Sequence, residues 1–150
     1  MKKKLIIFFC LLIFVSISVY TRYRCFIEPN EIILYKNGST QTINKDNKLF
    51  SEIVKEMNNR AHHRLNVAKL GFHSTDMFEL KKQETIIEFK YSKKHASYIR
   101  LYGDEYSSLV FPLTGLYKNL VFFDNNNYNL SGPLGPLDSS DALLNLLNKQ

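Results

Sequence analysis

The chain has 150 residues, 45% of them hydrophobic, and carries 20 Lys and Arg against 14 Asp and Glu for a net charge of +6. That length fits one domain with a sizeable core, and the basic excess is too small and too dispersed for the concentrated patch of a nucleic-acid binder, which is therefore not an expected partner. Only two cysteines are present, Cys10 and Cys25, and the first lies inside an apolar run, so no disulfide can staple the body and its core must hold it.

The first element is the leader MKKKLIIFFCLLIFVSISVYTRYRC. Lys2, Lys3 and Lys4 supply three of the six net charges, and residues 5–21 carry none. As a helix that stretch spans about 25 Å, the lower edge of what crosses a hydrocarbon core of about 30 Å. Lys4 and Arg22 can snorkel to make up the difference. Richness in Leu, Ile and Phe, with no Pro or Gly, predicts retention as an anchor. The alternative is cleavage before Val19, with Ser16 and Ser18 as the small residues, giving a secreted or periplasmic protein. The more positive flank is N-terminal, which places the body outside the cytoplasm in either case. The expected division is a membrane anchor or signal peptide over 1–24 and an extracytoplasmic domain over 25–150, a single-pass protein of the cell membrane whose first partner is the lipid bilayer. A lipoprotein signal is excluded because Phe9 precedes Cys10 and Arg24 precedes Cys25, where a small residue is needed. The abundance of Lys, Asn, Ile, Phe and Tyr matches AT-rich coding and points to a bacterial source.

The body opens with two extended runs, Glu31 to Lys36 and Ser39 to Ile43, around Asn37-Gly38, the dipeptide that best tolerates the positive φ of a type I′ hairpin. Leu49, Phe50, Ile53, Val54 and Met57 then recur at helical spacing, with Asp46 or Asn47 as the cap. From Val67 to Gln83 no period is visible, which predicts a loop with a short helical turn. Alternation returns in TIIEFKYS and again in SYIRLYG, with KKHA between them as a hairpin loop; SSLVFPL and NLVFFDN make two further strands. After the turns of SGPLGPL, a short helix follows with Leu143, Leu144 and Leu147 on one face and Ser139 or Ser140 as cap. The expected fold is α+β: a mainly antiparallel sheet of about six strands, four of them a meander, with a helix packed on one face.

Catalytic chemistry finds little purchase. His62 and His63 are adjacent and so do not share a helix face, and neither they nor His73 have a carboxylate or thiol at ligand spacing; no metal or other cofactor is expected. No serine lies in a nucleophile turn such as G-x-S-x-G, and Asp104 and Glu105 read as turn residues. FPLTG, Phe111 to Gly115, is similar to the pentapeptide by which sortases join surface proteins to cell walls, but lacks the apolar span and basic tail that follow it there, and reads as a strand end and turn. GPLGPL puts prolines where a phosphate loop needs N–H donors.

One surface is singled out for binding. Alternation in SYIRLYG places Tyr98, Arg100 and Tyr102 together opposite Ile99 and Leu101, which suits stacking against sugars or bases, and with Lys93 and Lys94 the set suits contact with a wall polymer or nucleic acid. The expected function is that of a non-enzymatic, membrane-tethered extracytoplasmic domain that binds a protein or an envelope component. The alternatives are a secreted small hydrolase, or a basic binder of wall polymer or nucleic acid.

Overall fold

The computed structural model describes residues 26–61, 65–68, 74–96, 105–124 and 133–149. The leader with both cysteines, His62, His63, His73, the run Asn125 to Asn127, and residues 97–104 with Tyr98, Arg100 and Tyr102 lie outside the described residues.

The hairpin forms where the sequence places it: β1 (Glu31–Lys36) pairs with β2 (Ser39–Ile43), and Asn37 and Gly38 take φ of 51° and 72°. Helix α1 (Lys48–Asn59) follows, its first turn closed by Asn47, whose Oδ1 accepts a hydrogen bond from the Leu49 N–H at 2.9 Å. Leu49, Phe50, Ile53 and Met57 are buried along it. After the two-residue strand β3 (Asn66–Val67) comes helix α2 (Ser74–Gln83), ten residues where the sequence suggests mostly loop. The reason for the difference is visible in its packing. Met77 is fully buried, Leu80 is only partly so and Phe78 is 61% exposed, so the helix carries no apolar stripe for a periodicity argument to find.

Strand β4 (Ile86–Ala96) runs on through KKHA, which is strand and not the expected hairpin loop. A bulge absorbs the excess: Lys90 lies opposite Ser108 and His95 opposite Tyr106, so five steps along β4 match two along β5 (Glu105–Pro112). The SYIRLYG strand falls in the undescribed residues between them. Strand β6 (Phe122–Asp124) pairs with β5, and β7 (Leu134–Gly135) pairs with β3. Helix α3 (Asp141–Asn148) closes the fold. Ser139 Oγ accepts from the Asp141 N–H at 3.2 Å, while Ser140 turns its hydroxyl to donate to the Leu113 carbonyl at 2.5 Å.

The main sheet has the order β2-β1-β4-β5-β6 with every pairing antiparallel, so the α+β reading holds with five strands in the sheet and β3-β7 as a separate ribbon. Helices cover both faces, not one. On the first face Ile32, Leu34, Ile87, Phe89, Leu109 and Phe111 pack with the apolar sides of α1 and α3. On the second, Ile86, Val110 and Phe122 meet Met77 of α2, with Tyr35, Leu80, Tyr117 and Leu120 around them. Residues 86–89 of β4 are therefore buried on both sides. Removing a side chain such as Phe89 from water is worth about 1.5 to 3 kcal/mol, which is why the middle of β4 forms the centre of the domain.

Candidate functional site

Alternation in TIIEFKYS sets Glu88 opposite Ile87 and Phe89, a pattern that in a one-sided sheet faces water. Because α2 covers that face, Glu88 is fully buried. Its Oε2 accepts hydrogen bonds from Lys81 Nζ at 2.7 Å and from the Tyr35 hydroxyl at 2.8 Å, and Lys90 Nζ forms an ion pair with Oε1 at 2.8 Å. Lys81 also stands 4.6 Å over the Tyr35 ring and 3.2 Å from its oxygen. Burial acts to raise the Glu88 carboxyl, but the charge and hydrogen bond of Lys81, then those of Lys90, outweigh it and hold the group below the usual carboxylate range. Tyr35 moves the other way, pushed up to about 12 by burial and by the Glu88 charge. A general acid or base works best with a pKa near the ambient pH. Both groups move away from that value, so the cluster suits the fixing of α2 better than proton transfer.

In the adjacent row of the same face, Lys90, Ser108 and Asp124 align across β4, β5 and β6. Ser108 is fully buried and its hydroxyl makes no hydrogen bond among the described residues. A serine nucleophile needs a base within hydrogen-bond reach, and among the described residues neither Lys90 nor Asp124, its neighbours in register, makes that bond to the Ser108 hydroxyl.

The far end of β4 and β5 is aromatic and basic. Tyr91, Tyr106 and Phe123 form an edge-to-face chain with centroids 5.5 and 5.3 Å apart, and His95 lies 5.0 Å from Tyr91. Tyr91 donates its hydroxyl to the Ile27 carbonyl at 2.9 Å; burial, followed by the neighbouring Tyr106, raises its pKa. Lys93 and Lys94 project into solvent beside this cluster. Of the residues expected to bind, these two are thus placed on an exposed strand end, while Tyr98, Arg100 and Tyr102 belong to the undescribed segment that follows it.

A groove of about 480 Å³ opens between α1 and the start of the body. Phe26, Phe50 and Val54 form its apolar wall, with Lys45, Lys55 and Asn58 among the polar groups at its edge. Lys45 pairs with Glu28 at 3.0 Å on the surface. Phe26 is itself held in the core: its ring meets Phe111 edge-on at 5.0 Å, and its N–H donates to Asn58 Oδ1 at 2.9 Å. Five residues along the chain from Thr21, the last of the uncharged run, the polypeptide is already part of the packed domain.

Sequence reasoning missed this groove because its apolar wall draws on Phe26, next to the leader, and on α1 residues read as core. Among the described residues, no group of three or more His, Cys, Asp or Glu is placed to hold a metal ion, and no helix is long and apolar enough to cross a membrane. No protein-family model, curated protein or solved structure matches the chain.

Proposed function

We propose that the chain is a non-enzymatic extracytoplasmic domain, tethered to the cell membrane by its N-terminal helix, that binds a protein or an anionic envelope polymer. The leader motivates the tether: Lys2 to Lys4 followed by an uncharged run over residues 5–21. The observation that carries the reading is the burial of Phe26. A chain spans at most about 3.3 to 3.6 Å per residue, so a tether ending at Thr21 keeps a domain packed from Phe26 onwards within a few residues' reach of the bilayer surface. The membrane-proximal part of the domain is then the flank with the Phe26 groove. Lys93 and Lys94, beside the aromatic chain at the end of β4, offer exposed contacts for a partner.

The test is crosslinking in intact membranes followed by co-purification of the full chain. A reproducible partner whose recovery falls in the Lys93→Gln/Lys94→Gln double variant supports the reading, and steep loss of that partner with added salt assigns it as an anionic polymer. Consistent recovery of the chain without protein or polymer contradicts it.

A further inference from the structure

Among the described residues β2 is an open edge of the main sheet, and nothing in it discourages pairing. Ser39, Thr40, Gln41 and Thr42 are all exposed and uncharged, and the strand contains no Pro, Lys or bulge of the kind that blunts natural edges. The two-residue turn at Asn37-Gly38 closes on the Lys36–Ser39 pair, and antiparallel ladders alternate between bonded and non-bonded pairs. The backbone groups of β2 that point away from β1 are therefore those of Thr40 and Thr42. Among the described residues no hydrogen bond reaches them from outside the hairpin.

We infer that β2 pairs antiparallel with β2 of a second copy of this chain, joining two five-stranded sheets edge to edge about a two-fold axis at Gln41. Three observations favour a second copy over another extended segment. The register is self-complementary: Thr40 of one copy falls opposite Thr42 of the other and the reverse, so each outward N–H meets an outward carbonyl. The strand is uncharged throughout, so self-pairing brings no like charges together at the axis. The third is direction. The two-fold axis of an antiparallel pair is normal to the sheet, so the same face of both copies points the same way. Phe26 packs on the first face, against Phe111, so the Phe26 residues of both copies lie on the same side of the joined sheet, as two chains tethered in one bilayer require. A few backbone hydrogen bonds make a weak association in free solution, and confinement in one membrane raises the effective concentration; in this respect alone the inference rests on the tethered reading.

The test uses the full chain in its membrane with Cys10→Ala and Cys25→Ser as background. Residues directly opposite at a non-bonded antiparallel site have Cα atoms about 4.5 Å apart, within disulfide range, so Gln41→Cys is expected to oxidise to a covalent dimer. Lys48→Cys, exposed on α1, is expected to remain monomeric. Adding Thr42→Pro, which removes an outward N–H that the single copy does not use, is expected to abolish the Gln41→Cys crosslink while the unfolding curve stays in place. Membrane-bound Gln41→Cys chain that stays monomeric, or whose introduced thiol captures a different protein instead, overturns the inference. Recovery of the chain in the soluble fraction overturns the tether, and the crosslink assay on that soluble chain, concentrated to replace the lost confinement, still decides the pairing.

Discussion

Lys81 Nζ lies 2.7 Å from Glu88 Oε2 beneath helix α2, and this buried pair, with Met77, is what attaches the helix to the second face of the sheet. Breaking a buried pair by removing one charge typically costs about 3 to 5 kcal/mol, because the remaining charge is left in a poorly solvated place. Glu88→Gln is therefore expected to lower the unfolding free energy by an amount in that range, read as a lower urea midpoint at unchanged m, and adding Lys81→Met to recover part of the loss. An unchanged midpoint in Glu88→Gln contradicts this role.

The same carboxylate sets a pH dependence. Glu88 titrates below its unfolded value of about 4.3 in the folded state, so its contribution is fully present above that value and is lost as pH falls through the lowered folded value. Stability of the wild-type chain should decline on acidification across this window, and the decline should be shallower in Glu88→Gln. Unfolding curves collected between neutral pH and the acid limb check it.

What was legible in the sequence followed from local chemistry. Asn37-Gly38 identified the hairpin to the residue because few dipeptides tolerate two positive φ angles in succession. Asn47 and the stripe from Leu49 to Met57 identified α1 for the same kind of reason. The second layer was hidden because α2 is held by Met77 and by an ion pair whose members stand seven residues apart on different elements, which leaves no periodic trace. Glu88 looked solvent-facing for as long as that layer was missing. KKHA looked like a loop because its charges suit one, whereas the bulge that lets it continue as strand is a property of its pairing with β5. Of the expected binding surface, Lys93 and Lys94 stand exposed on β4, and the tyrosines and Arg100 lie outside the described residues.

Two glycines with nearly equal backbone angles separate conformational from steric cost. Gly38 has φ +72° and open surroundings, its closest contact for an added Cβ being Lys82 O at 4.0 Å; Gly115 has φ +73° and the Glu84 carboxylate directly against it. Gly38→Ala is expected to cost about 1 to 2 kcal/mol for the left-handed backbone alone. Gly115→Ala should cost more, because Glu84 must withdraw and lose the hydrogen bond donated by the Thr114 hydroxyl. Equal thermal shifts for the two variants would count against the steric term.

Arg60, 5% exposed at the end of α1, donates from Nε to the Asp138 carbonyl at 3.0 Å and from Nη2 to the Lys118 carbonyl at 2.7 Å, tying the helix to the two segments that precede β6 and α3. Burial lowers its pKa to about 10, against the partial support of Asp138. Lysine cannot reproduce the planar fork. Arg60→Lys is expected to lose about 1.5 to 3 kcal/mol, the worth of one hydrogen bond from a charged donor, if the ammonium keeps the other. Chemical denaturation of the variant beside the wild type measures it.

The proposed tether is the point on which partner, orientation and self-pairing turn, and the mass of the mature chain in separated membrane and soluble fractions decides it. A retained anchor gives the full-length mass, Met1 to Gln150, in the membrane fraction, with the body accessible from outside the cytoplasm. A soluble chain beginning at Val19 contradicts the tether and makes the leader a signal peptide.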